Sequence, residues 1–453
     1  MSERGAWREE WRAQIALALP VIVVQIGLVS MGLVDAAFMG RVSAAEFAAV
    51  SLGHNYTFTF LGLAMGTLTV LDPLVAQAWG AGEPESVARA LQRGVVLALG
   101  LSAVAALLCL PAERVLAWLG QPASVVPSAG TFARISILGF PGFLLFVAQR
   151  QTLQATHRVR PLVLVIVLAN GLNALLDWLL IRGHFGLPAL GSAGCAWATV
   201  CARWAMALSL PFLARDRLSA WLWPPRPEVL ERAALGRMLR LGLPIGLSFG
   251  LEIGAFACIL FLMGRLGEVS LAGHQVAFSL VSTSFMVPLA ISMSAAVRVG
   301  NEIGRGNPAG VRRAAGVALM AGSGAMLVSA ALFLLVPLPL ARLFTDIEPV
   351  LAVAVVLIPI AGLFQVFDGV QGVAMGCLRG MADTRVPFLI HLFGFWGVAI
   401  PASHHLAFTR GFGARGLWWG LALGLAAVAL VQLARVRTML VRGVRRFEVE
   451  ASG

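Results

Sequence analysis

Residues 80–90 read Gly-Ala-Gly-Glu-Pro-Glu-Ser-Val-Ala-Arg-Ala, and residues 304–314 read Gly-Arg-Gly-Asn-Pro-Ala-Gly-Val-Arg-Arg-Ala. Six of these eleven positions agree at an offset of 224. The same offset pairs Leu19-Pro20 with Leu243-Pro244, and Met39-Gly40-Arg41 with Met263-Gly264-Arg265. Matches at one constant spacing, separated by dozens of residues, identify the second half of the chain as a copy of the first. The copied units are apolar: 59% of the 453 residues are hydrophobic and 12% are charged. So little charge suits a surface covered by lipid rather than water. A duplicated, very apolar chain is the pattern of a secondary transporter.

Working outward from the repeat, a helix needs about 20 apolar residues to cross the hydrocarbon. Twelve stretches qualify. The first half has 15–40, 46–72, 88–112, 130–154, 161–181 and 191–213. The second has 239–263, 270–296, 312–337, 350–376, 386–408 and 413–434. The segment 214–238 breaks the pattern with eight charged residues and Pro224, Pro225 and Pro227. The expected fold is therefore an all-α integral membrane protein, with twelve transmembrane helices in two six-helix bundles. The expected organisation is an N-terminal lobe at 1–213, a cytoplasmic connector at 214–238 and a C-terminal lobe at 239–453. The run that follows the mixed charges of residues 1–12 is too long for a signal-peptide core and reads as the first span.

The net charge of +12 comes entirely from arginine, because the chain has no lysine. Arginine in short loops between apolar spans speaks for a membrane protein, not for a nucleic-acid partner. With the N-terminus inside, 25 arginines fall on the cytoplasmic side and eight on the outer side, with Arg203 inside the sixth span. Both termini are thus expected in the cytoplasm. Six spans per copy make the repeat parallel, so the bundles should be related by a pseudo-twofold axis along the membrane normal. Cys109, Cys195, Cys201, Cys258 and Cys377 all lie in apolar stretches without metal-binding spacing and read as small buried residues. The Gly-x-Gly-x-Pro loops lack the Lys and the strand of a P-loop and read as tight cytoplasmic turns.

Acidic residues inside spans demand a reason, since each costs at least about 2.5–3.5 kcal/mol there. Asp35 in the first span and Asp177 in the fifth reach similar depths in the outer part of the N-terminal half. Asn173 precedes Asp177 by four residues, on the same helix face. Two carboxylates and an amide make an oxygen site for a proton or Na⁺, and two neighbouring carboxylates do not easily both stay ionised. Glu252 in the seventh span and Asp368 in the tenth form a second candidate set, with no acid at their repeat partners Leu28 and Leu144. Na⁺ is a candidate ligand of all four acids. Asp72, near Gln77 at the cytoplasmic end of the second span, reads as structural, the His274-Gln275 pair as packing, and Tyr56 as an interhelix hydrogen-bonder. Pro20 and Pro244 mark kinks at matched positions. No His-rich, paired-acid or Ser/Lys cluster has catalytic spacing, so no enzyme activity and no cofactor are expected.

These residues resemble the multidrug and toxic compound extrusion (MATE) family, in its NorM-like branch, over nearly the whole chain. The resemblance is carried by Asp35 in Met-Gly-Leu-Val-Asp-Ala-Ala-Phe-Met-Gly and by Gln77 before Gly80-Ala81-Gly82. It continues through Asn173 to Asp177, Gly194-Cys195-Ala196-Trp197-Ala198-Thr199, and Gly242-Leu243-Pro244-Ile245-Gly246 with Glu252. Gly273-His274-Gln275-Val276-Ala277, Arg298-Val299-Gly300-Asn301, and Asp368 leading into Leu378-Arg379-Gly380 complete it. The resemblance implies an antiporter of the plasma (inner) membrane: Na⁺ or H⁺ enters while an organic, often cationic, compound leaves. It implies one cation site at Asp35, Asn173, Asp177 and Thr199, and another at Glu252 and Asp368. Ala36 follows Asp35 where the family often has threonine. A monomer is expected. The alternative, a flippase for lipid-linked oligosaccharides, would line its cavity with several basic groups; here only Arg203 lies well inside a span.

Overall fold

The computed structural model describes residues 3–447; the outermost residues of the two lobes expected at 1–213 and 239–453 lie outside that range. Among the described residues there is no strand. The membrane helices are α1 (Glu3–Met39), α2 (Ala44–Gly80), α3 (Pro84–Cys109), and α4, a pair of segments Val126–Ile137 and Phe140–Ala155 bent by 50°. They continue with α5 (Arg160–Arg182), α6 (Ser192–Leu213), α7 (Arg232–Gly264), α8 (Glu268–Gly304) and α9 (Pro308–Leu335). The last three are α10 (Glu348–Gly380), α11 (Arg385–Thr409) and α12 (Gly413–Arg442). Eleven are long and apolar enough to cross a membrane, twelve with the bent pair counted as one span. Helices are the required solution, because backbone groups in hydrocarbon must be paired within the segment.

Local chemistry sets the helix ends. The Ser43 hydroxyl accepts from the Glu46 amide at 3.1 Å and caps α2. The two repeat loops turn at Gly82 (φ +74°) and Gly306 (φ +64°), a conformation that favours glycine. Pro84 and Pro308 then open α3 and α9, where no backbone N–H is needed. The expected tight turns are therefore what the chain builds. The expected single span at 130–154 is instead broken: α4 turns at Leu138-Gly139 and restarts at Phe140-Pro141.

The chain packs as two units. Of the described residues, one unit contains 23–246 and the other contains 3–22 together with 247–447. The long helices α1 and α7 thus each contribute to both. The first unit is cored by Leu61, Leu68, Phe140, Leu144 and Val147. The second is cored by Met263, Phe364, Phe395, Trp418 and Leu421. Helices of the second unit approach closely at small residues: a side-chain carbon added at Gly376 of α10 would overlap the Ser292 carbonyl oxygen of α8. Such small-residue contacts replace the hydrophobic drive that lipid cannot supply. Large apolar side chains such as Leu107, Val167, Phe212, Phe261, Leu335 and Leu430 face outward, the surface that lipid covers.

Two sequence readings of individual residues are settled by contacts. The Tyr56 hydroxyl donates to the Leu108 carbonyl of α3 at 3.1 Å. His274 packs against Phe278 and Trp418, with ring centroids at 5.8 and 5.6 Å. The cysteines depart from expectation: Cys201 is exposed and Cys258 half-buried. Both still need only an apolar neighbourhood, which lipid provides as well as protein.

Candidate cation sites in two helical units

In the first unit the site is made by three helices. Along α5 the buried residues are Leu162, Val165, Ile166, Ala169, Asn173, Asp177 and Ile181. Their spacing of three and four is the stripe a helix turns toward its bundle. Asn173 and Asp177 simply continue it. On α6, Cys195, Thr199 and Arg203 follow one another at intervals of four and are all buried. On α1, Met31, Asp35 and Met39 share the inward face. Helices α1 and α5 come close where Asn170 Nδ2 donates to the Gly27 carbonyl at 2.9 Å. The absence of a side chain at Gly27 permits this, because an added carbon there would overlap Ile166.

The result is a dry polar cluster. Asp35 is 4% exposed, and Asp177 and Asn173 are 0% exposed. The Thr199 hydroxyl donates to Asp35 Oδ2 at 3.0 Å and lies equally close to the Cys195 carbonyl. One ligand atom each of Asp35, Asp177 and Cys195 all lie within 4.8 Å of one another. Asn173 stands beside Asp35. No partner stands at full hydrogen-bond geometry for either oxygen of Asp177, Oδ1 of Asp35 or either side-chain polar atom of Asn173 among the described residues, although Asp177, Asn173 and Cys195 all lie within polar reach of Asp35. Buried polar atoms left this way call for an explanation. Among the described residues the cation in coulombic reach is Arg203, itself buried, with its guanidinium 5.4 Å from the centre of the Phe143 ring. Ionised Asp35 and Asp177 together with Arg203 leave a single unit of negative charge.

In the second unit α7 supplies Glu252, α10 supplies Asp368 and Gln371, and α11 supplies His391. Gln371 Nε2 donates to Glu252 Oε1 at 3.4 Å and to Asp368 Oδ1 at 3.3 Å. Its Oε1 meets His391 Nε2 at 3.2 Å. The amide thus bridges the two acids and is oriented by the imidazole behind it. His391 directly precedes a π-helical stretch, Leu392–Ala399, a local unwinding that often accompanies functional positions. Glu252, Gln371 and His391 line a small cavity of about 30 Å³ with Phe249, Phe285 and Arg379. Arg379 is engaged there, donating to the Ser292 hydroxyl at 3.2 Å.

All six residues singled out from the sequence therefore fall into two clusters: Asp35, Asn173, Asp177 and Thr199 in one unit, Glu252 and Asp368 in the other. Sequence reasoning missed Cys195, Arg203, Gln371 and His391 as members. Asp72 is buried in coulombic reach of Arg150, which donates to Gln25 of α1 at 2.9 Å.

Comparison with known proteins agrees with this architecture. The family described as MatE matches residues 20–179 and again 244–404, two stretches whose starts lie at the repeat offset. The chain is 38% identical over 429 residues to the probable multidrug resistance protein NorM of Pseudomonas putida, covering 93% of each chain. It is 35% identical to the multidrug resistance protein PmpM of Pseudomonas aeruginosa, covering 97% of this chain and 93% of that one. In fold it is similar to the eukaryotic MATE transporter AtDTX14, with a TM-score of 0.85 at 22% identity, covering 96% of this chain and 99% of that chain. The repeat, the twelve apolar spans and these matches over nearly the full length make the chain a multi-pass membrane protein of the multidrug and toxic compound extrusion (MATE) family, in its NorM-like branch.

Proposed function

We propose that the protein is a cation-coupled antiporter that exports organic, often cationic, compounds, using Na⁺ or H⁺ as the coupling ion and no cofactor. It is a transporter rather than an enzyme, acting as a monomer in the plasma (inner) membrane with both termini in the cytoplasm. The observation that supports this reading is the pair of buried carboxylates, Asp35 and Asp177, brought close together from α1 and α5 beside α6. A bound cation neutralises the cluster, and a change of charge in a dry site is worth several kcal/mol. That is enough to favour one access state over another, which is the physical requirement for coupling. The names of the NorM and PmpM relatives support multidrug compounds as the exported class. A cationic cargo fits four intramembrane acids better than a lipid-linked pyrophosphate would.

The test is transport by purified protein in proteoliposomes, driven first by a Na⁺ gradient and then by a pH gradient. One of the two is expected to drive accumulation of a fluorescent organic cation, and Asp35→Asn is expected to abolish it while leaving the protein folded. Normal transport by Asp35→Asn would show the assignment to be wrong.

A further inference from the structure

We infer that the Asp35–Asp177 cluster, with Cys195, forms a site for one thiophilic divalent cation such as Zn²⁺ or Cd²⁺. The inference rests on the same acids as the antiport reading but concerns a different ligand. Three donors of the right kind converge: two carboxylates and a thiol, with one ligand atom of each inside a 4.8 Å span. All three residues are buried. A tetrahedral ion about 2.0–2.3 Å from each ligand atom keeps those atoms within about 4 Å of one another, so only a small adjustment is needed. The fourth position has a candidate in Asn173, buried beside Asp35, whose Oδ1 has no partner at full hydrogen-bond geometry. Thr199 Oγ1 holds Asp35 by Oδ2 and leaves Oδ1 for the ion, an outer contact that fixes a ligand's orientation.

Charge explains how one cluster accepts two classes of ion. With Cys195 as a neutral thiol, two carboxylates, Arg203 and one monovalent cation sum to zero. With Cys195 as a thiolate, two carboxylates, Arg203 and one divalent cation also sum to zero. The exchange is balanced: the metal forms a bond to sulfur, and the thiol proton is released to water as the monovalent cation leaves. Thiolate is the soft ligand that selects such an ion over Mg²⁺ or Ca²⁺, which prefer six or more oxygens. A Zn²⁺ or Cd²⁺ ion held here excludes the coupling cation.

The experiment titrates Cd²⁺ alone into detergent-solubilised protein and follows the thiolate-to-metal charge-transfer absorption and the thermal midpoint. Wild-type protein is expected to bind one Cd²⁺ with release of a proton and a rise in midpoint. Outer-shell substitutions already cost about 10–100-fold in metal affinity, so Cys195→Ala should cost at least about 100-fold, and Asp35→Asn and Asp177→Asn should each weaken binding too. Cys201→Ser, at an exposed thiol outside the cluster, should change nothing. Should Cys195→Ala fail to fold, Cys195→Ser keeps a small polar group and is expected to lose Cd²⁺ equally. Unchanged affinity in the Cys195 variants would overturn the inference. So would Cd²⁺ binding that survives both carboxylate substitutions, since a lone thiol would then suffice. Because binding is read without any gradient, the two readings separate. Cd²⁺ bound by Cys195 and the acids, with transport indifferent to Asp35→Asn, removes the antiport reading alone. Asp35-dependent transport with Cys195-independent Cd²⁺ binding removes the metal site alone.

Discussion

Thr199→Val replaces a hydroxyl by a methyl of nearly the same size, in a position that is 5% exposed and packed among α1, α5 and α6. It removes one interaction at the candidate site, the 3.0 Å hydrogen bond to Asp35 Oδ2. The hydroxyl has one proton and two acceptors at equal distance, the Asp35 carboxylate and the Cys195 carbonyl. It donates to the carboxylate most strongly when that group is ionised and unneutralised. A hydrogen bond to a charged group contributes about 1.5–3 kcal/mol, and a neutral one about 0.5–1.5 kcal/mol. The bond therefore favours the cation-free site over the loaded one by about 1–1.5 kcal/mol. Losing it should lower the half-saturating concentration of the coupling cation about 5–10-fold. Slower release should reduce the maximal rate. Efflux of a fluorescent organic cation from proteoliposomes, measured over a series of coupling-cation concentrations, reads both quantities. A rise in the half-saturating concentration would refute the reasoning and make the hydroxyl oxygen a cation ligand instead. No change in either parameter would refute the participation of Thr199 altogether.

Three further outcomes follow from contacts in the second unit. Gln371→Leu removes the amide that bridges Glu252 and Asp368 at 3.4 and 3.3 Å; the contacts are long, so a modest two- to tenfold change in the apparent affinity for the coupling cation is expected, corresponding to about 0.5–1.5 kcal/mol, measured in the same efflux assay. Arg298→Met strips the buried Glu10 carboxylate of its two-pronged partner at 2.9 and 2.7 Å, which should cost about 3–5 kcal/mol; thermal unfolding should show a large drop that Glu10→Gln in the same chain partly restores. Gly376→Ala forces a carbon into the Ser292 carbonyl and should cost about 1–3 kcal/mol, visible as a lower thermal midpoint, whereas Gly100→Ala, with open space around it, should not.

The architecture was legible because two signals in the chain are redundant. Apolar length marks each span, and the 224-residue offset marks each span's counterpart. The exception is instructive: the run 130–154 is apolar throughout, so hydropathy saw one span, while Gly139 and Pro141 already carried the signal for the bend in α4. At the candidate sites, charge made Asp35, Asp177, Glu252 and Asp368 visible, since lipid makes any carboxylate conspicuous. Thr199 came only through family resemblance, although Cys195, Thr199 and Arg203 recur at intervals of four and had to share a face. Gln371 could have been found the same way, three residues beyond Asp368 on α10. His391 could not. It sits on another helix, and only tertiary packing brings its ring to Gln371. Cys195 was hidden for a chemical reason, because a thiol among apolar residues looks like packing until carboxylates from two other helices are placed beside it.

The account stands on exchange: a cation taken up at the buried acids must be counted against each molecule expelled. The most direct measurement runs the cycle in reverse, loading vesicles so that a gradient of the organic substrate is the only driving force, and following the coupling cation with a Na⁺-sensitive or a pH-sensitive dye. The wild-type protein should move one of these cations in the direction opposite to the substrate, and Asp35→Asn should move neither. Substrate flux without countermovement of either cation, or cation movement that survives Asp35→Asn, would contradict it.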